Sequence, residues 1–158
     1  MNKLLTTLAL IVTTQYSFAA AEKVITPKVP FEGKPTVVLQ VLDLNGKVAR
    51  PIKGNKLSIS KKQTQLCWHS INVPTQNKVM IAEAFYAPAK MKLVSPGSRV
   101  DSSEDGKNHT VITEANLVNS HPLSRCWGFD KTDPIGKYKM EIQINDQVFK
   151  GLEFEIVK

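Results

Sequence analysis

Hydrophobic and polar positions alternate most cleanly near the end of the chain, where Tyr138, Met140, Ile142 and Ile144 interleave with Lys139, Glu141 and Gln143. Leu152, Phe154 and Ile156 interleave with Glu153 and Glu155 in the same way. A period of two places successive side chains on opposite faces of a strand, so both segments are predicted to be half-buried strands. Asn145, Asp146 and Gln147 form the hairpin turn between them. Residues 36–44 are β-branched and apolar on both faces in their middle, as in a strand covered from two sides. Asn45-Gly46 follows with the positive φ angles of a tight turn. Residues 47–51 would return as a short edge strand on which Pro51 blocks further pairing.

The middle of the chain is less regular. Leu57 and Ile59 alternate with Ser58 and Ser60 in a weak strand, and residues 65–73 make a better one that Pro74 ends. Residues 79–86 are apolar on both faces apart from Glu83, and Pro74 and Pro88 leave too little length for a helix, so a strand is predicted there. Residues 90–94 alternate again before Pro96-Gly97 turns the chain. Residues 99–104 and 109–115 flank Asp105-Gly106, a second hairpin signal. The sum is about eight short strands with no convincing helix, which predicts an all-β antiparallel sandwich or barrel.

Met1-Asn2-Lys3, an apolar run over 4–12 and the small residues Ser17, Ala19, Ala20 and Ala21 have the parts of a secretory signal peptide, assigned to residues 1–21. The run is too short to span a membrane, and no transmembrane segment is expected. Residues 22–35 carry Pro27, Pro30 and Pro35 and read as an extended leader along a sheet edge. Residues 36–158 are the length of one domain. A net charge of +7 implies weak attraction to anionic surfaces such as lipid head groups, cell-wall polymers or an acidic partner. The lysines are scattered, however, with only Lys61-Lys62 and the Lys90, Lys92 pair approaching a patch. No basic run is interleaved with stacking aromatics, so nucleic acid is not an expected partner.

Cys67 and Cys126 are the two cysteines, and export into an oxidising compartment makes them one disulfide. The segment Asp133-Pro134-Ile135-Gly136-Lys137-Tyr138 resembles the Pro-x-Gly-x-Tyr corner before the penultimate strand of bacterial immunoglobulin-like and macroglobulin-like domains. The resemblance covers about the last quarter of the chain. It implies an immunoglobulin-like β-sandwich in which Pro134, Gly136 and Tyr138 form a structural corner, with Tyr138 hydrogen-bonding back to the preceding turn. It implies no activity. Cys126 precedes the corner where antibody domains place a cysteine after the tyrosine, so their inter-sheet bridge does not carry over.

Reactive chemistry is sparse. His69-Ser70 and Ser120-His121 set a base beside a nucleophile, but no Gly-x-Ser-x-Gly elbow exists and strand neighbours point to opposite faces, so no enzyme is expected. Asp101, Glu104 and Asp105 read as a solvated loop tip without the order of a calcium loop. The histidines and methionines are ligand types that copper accepts, and His69 with Met80 is the best such set. The dipeptides Cys67-Trp68 and Cys126-Trp127 allow two arrangements. With the cysteines inward, Trp68, Trp127 and Phe129 would form an outer aromatic platform for binding. With the cysteines outward, both tryptophans join the core, and this arrangement is preferred.

These readings converge on a periplasmic or secreted, non-enzymatic module without a cofactor. It would engage an envelope or delivered protein as an inhibitor, immunity factor or assembly accessory. The second reading is a periplasmic copper-handling protein, and the third a small hydrolase using Ser120 and His121.

Overall fold

Residues 29–61, 63–116 and 122–158 are described by the computed structural model. The segment 1–21, the first part of the 22–35 leader, Lys62 and the Ser120-His121 pair lie outside the described residues. Among the described residues the chain forms ten strands: β1 (Thr36–Asp43), β2 (Arg50–Ile52), β3 (Lys56–Ser58), β4 (Thr64–Ile71), β5 (Lys78–Tyr86), β6 (Arg99–Ser102), β7 (Asn108–Asn116), β8 (Ser124–Trp127), β9 (Gly136–Ile144) and β10 (Gln147–Val157). They make two sheets, one ordered β2-β1-β4-β8 and the other β3-β10-β9-β5-β7-β6. Every pairing is antiparallel except β3 with β10. The fold is an all-β sandwich.

The period-two reading places the core. Val79, Ile81 and Phe85 of β5, Tyr138, Met140, Ile142 and Ile144 of β9, and Phe154 and Ile156 of β10 are all buried on the inner face of the six-stranded sheet. Val37 and Val41 of β1 and Leu66 and Trp68 of β4 are buried opposite them. Tyr138 stacks on Phe154 with ring centroids 4.9 Å apart. Residues 79–86 are a strand, as expected, and a central one: β5 pairs with β7 on one side and β9 on the other. Pairing on both sides decides this where local propensity does not. Asn145, at φ 50, makes the tight turn between β9 and β10.

Three local expectations are corrected. Neither Asn45 nor Gly46 has a positive φ. Instead the Asp43 carboxylate accepts from the Asn45 backbone at 2.9 Å and from its side chain at 2.7 Å, and this local turn opens a longer connection to β2. Residues 90–94 form no strand: Met91 is drawn into the core and its backbone N–H donates to the Gly106 carbonyl at 2.9 Å, laying the segment across the β6–β7 hairpin. The described end of the leader is not extended but turns tightly at Pro30–Gly33, where Phe31 and Glu32 have positive φ and Asn72 donates to the Pro30 carbonyl at 2.8 Å.

The sheets overlap so that β1 lies over β10 and the β8 end of one sheet lies over the β5 and β7 end of the other. The chain crosses between sheets on the β2 and β3 flank through Lys53-Gly54-Asn55, where Gly54 has φ +79. No described helix is long and apolar enough to cross a membrane.

Candidate functional site

The alternation that buries Val79, Ile81 and Phe85 also turns Glu83 inward, and its side chain is fully buried. An isolated carboxylate there would be costly, and its partners come from the other sheet. Oε1 accepts the indole N–H of Trp68 at 2.6 Å and that of Trp127 at 2.7 Å. Oε2 accepts from the Arg125 guanidinium at 2.8 Å. Burial pushes the Glu83 carboxyl above the usual carboxylate range, while the Trp127 and Trp68 indoles and Arg125 pull it back. Both oxygens are occupied and none of the carboxylate meets solvent, so Glu83 joins the sheets and reaches no substrate.

Arg125 carries the cluster to the rim. Its guanidinium donates to Thr113 Oγ1 at 2.8 Å, to Ser98 Oγ at 3.2 Å and to Ser95 Oγ, and lies 4.6 Å from the Trp127 ring centroid. Phe85 meets Trp127 edge to face with centroids 4.9 Å apart. An inward charge on the short edge strand β8 also obstructs pairing of that edge with another chain. The sequence reading missed this cluster, although a glutamate at an inward period-two position is a signal that demands a partner.

Cys67 and Cys126 stand directly opposite one another on β4 and β8 and form a disulfide. Both point outward, so Trp68 and Trp127 point inward and are 1% and 7% exposed. The exposed platform of Trp68, Trp127 and Phe129 therefore does not exist; Phe129 packs, half-buried, against Tyr138 and Phe154. At the corner, the Tyr138 hydroxyl donates to the Pro134 carbonyl at 2.7 Å, and Gly136, at φ +143, packs against Pro88.

His69 and Met80 are not brought together. His69 faces outward from β4 in the four-stranded sheet, whereas Met80 faces outward from β5 in the six-stranded sheet, so the whole sandwich separates them. Among the described residues no three histidine, cysteine, aspartate or glutamate side chains cluster. His109 is buried, with Nδ1 against Ser102 Oγ and Nε2 against the Gly106 carbonyl, and secures the β6–β7 hairpin. Ser70 faces inward, away from His69, and accepts the Leu123 backbone N–H at 2.8 Å. Asp105 closes the loop tip by accepting from Ser103 and the Lys107 backbone, which hold its carboxyl below the usual range.

What the strands do assemble is an uncharged face. On the outside of the four-stranded sheet stand Val38, Gln40 and Leu42 from β1, Gln65, His69 and Ile71 from β4, and Ser124 from β8, around the disulfide. None is a lysine, arginine, aspartate or glutamate. The outside of the six-stranded sheet differs: Lys139 faces Glu153, Lys137 faces Glu155, Lys78 pairs with Glu114 at 2.8 Å and Arg99 with Asp101 at 2.7 Å. Opposite charges across strands are the mark of a solvated surface.

The family described as PM0630 beta sandwich domain matches residues 37–157. The chain is also similar to "Uncharacterized protein PM0630" of Pasteurella multocida (strain Pm70), at 35% identity over 161 residues covering 100% of both chains. No solved structure matches.

Proposed function

The chain belongs to the PM0630 beta sandwich domain family, and on that premise we propose an exported, non-enzymatic module that binds another protein through the outer face of its four-stranded sheet. The observation that carries this reading is the uncharged face itself. A protein of net charge +7 has a sheet surface free of ionised side chains, with Val38, Leu42 and Ile71 on it, while its opposite sheet is laced with charge pairs. Burial of such a face costs little desolvation, and charge depletion marks the centres of protein interfaces. The edges of this sheet are short, Pro51 lies on one and the inward Arg125 on the other, so docking proceeds across the face and not by strand addition.

Export is supported by the signal-like residues 1–21 and by a disulfide that an oxidising compartment would maintain. The Tyr138–Pro134 hydrogen bond supports the finer kinship with immunoglobulin-like domains, while a bridge within one sheet sets this sandwich apart from antibody domains. An inhibitor, immunity factor or assembly accessory in the periplasm fits this chemistry, and the partner is an envelope or delivered protein.

The test is gentle capture from the native envelope followed by native mass spectrometry. Wild type carries a second polypeptide at fixed stoichiometry, Gln40→Lys with Gln65→Lys loses it, and Gln143→Lys on the other sheet keeps it, all three melting alike. Loss from both variants, or retention by both, overturns the assignment to this face.

A further inference from the structure

The connections on one flank gather cations that are scattered along the chain. Between Asp43 and Glu83 the sequence contains lysines and one arginine but no carboxylate. Folding places Lys47 on the β1–β2 connection, Arg50 on the edge strand β2, Lys53 where the chain crosses from one sheet to the other, and Lys61 on the β3–β4 turn. All are exposed, and among the described residues none makes a salt bridge. Lys61 and Arg50 converge on Asp43: after the hydrogen bonds from Asn45, these cations also hold its carboxyl below the usual range. On the neighbouring sheet edge Glu155 is taken up by Lys56 at 3.0 Å. Val48 lies between Lys47 and Arg50 and is 71% exposed, the most open large hydrophobic residue among the described residues.

From this arrangement we propose that the β2 flank is a binding surface for an anionic phospholipid bilayer. The cations are separate side chains on three connections and one strand, and no buried polar group among them fixes the orientation of a single phosphate or carboxylate. Such a set recognises a field of repeated negative charge. An exposed valine at its centre suits the interfacial region of a bilayer, where apolar side chains enter beneath the head groups, and has no role against a soluble polyanion. Contact along this flank would stand the sandwich on the membrane and leave the outer face of the four-stranded sheet free.

The test is co-sedimentation of the mature chain with vesicles of phosphatidylcholine alone or with phosphatidylglycerol as minor component. Binding is expected only to the anionic vesicles and falls as salt is raised, because exposed charges are screened. Each cation near the surface contributes about a five-fold factor, so Lys47→Gln, Arg50→Gln, Lys53→Gln and Lys61→Gln together lower partitioning several hundred-fold. Val48→Ser lowers it about three-fold. The control neutralises Lys90, Lys92, Lys107 and Lys139 elsewhere, with the same change in net charge, and loses at most about ten-fold. Equal losses in the two sets would overturn the site. Polyglutamate binding as tightly as vesicles, with Val48→Ser changing neither, would overturn the bilayer in favour of an acidic protein.

Discussion

Replacing Arg125 by methionine removes the cation that pairs with Glu83 and leaves most of the side-chain volume in place. The arginine side chain is 24% exposed and the glutamate 0%. Removing one partner of a buried pair costs about 3–5 kcal/mol, and the partial exposure of Arg125 puts the expected loss near the lower end, about 3 kcal/mol at neutral pH. The sign with pH follows from the direction of the Glu83 shift. Its carboxyl is raised by burial in the folded wild type and would be raised further without Arg125. A group whose folded pKa exceeds its unfolded value gives stability below the unfolded value, and that stability is lost as pH rises through the folded one. The variant therefore loses more on the way up. Well below the ordinary carboxylate value of 4.5 Glu83 is protonated in both chains, and the penalty shrinks to about 1 kcal/mol for the contacts with Thr113, Ser98 and Trp127. Urea unfolding followed by far-ultraviolet circular dichroism across this pH range measures it, with an unchanged slope as the check on a two-state transition. A penalty that stays flat from acid to neutral pH would refute the pairing of Arg125 with an ionised Glu83.

Replacing Cys67 and Cys126 by alanine opens a loop of sequence separation 59, and a loss of about 4 kcal/mol is expected in non-reducing urea unfolding; a loss under about 1 kcal/mol would mean that the bridge scarcely restrains the unfolded chain. Tyr138→Phe deletes the 2.7 Å bond to the Pro134 carbonyl and should cost about 1 kcal/mol in the same assay. Gly136→Ala sets a Cβ 3.1 Å from the Pro88 ring at a φ of +143 and should cost about 2 kcal/mol in the same assay.

Period two was enough to read the strands that build the core. It placed Tyr138, Met140, Ile142 and Ile144 on one face and linked the outward cysteines to inward tryptophans, while the flanking Pro74 and Pro88 made residues 79–86 a strand. Less legible were the features that depend on which strands become neighbours. The parallel pairing of β3 with β10 joins Leu57 to Ile156, and nothing local in either segment announces it. Glu83 stood out only as an interruption, because its partners Trp68, Trp127 and Arg125 lie 15 to 44 residues away. The His69–Met80 set was hidden for the same reason: the two are near in sequence, but a sheet change places them on opposite outer surfaces. Lys61 and Arg50 are likewise apart in the sequence, and only the fold sets both beside Asp43.

Hydroxyl-radical footprinting in the intact envelope, set beside the purified chain, tests the docking face most directly. Leu42, His69 and Ile71 on the four-stranded sheet should be protected in the envelope, while Met80 and Tyr86 on the six-stranded sheet label equally in both samples. Equal labelling of Leu42, His69 and Ile71 in the two samples, or protection confined to Met80 and Tyr86, would contradict the assignment of that face to a protein partner.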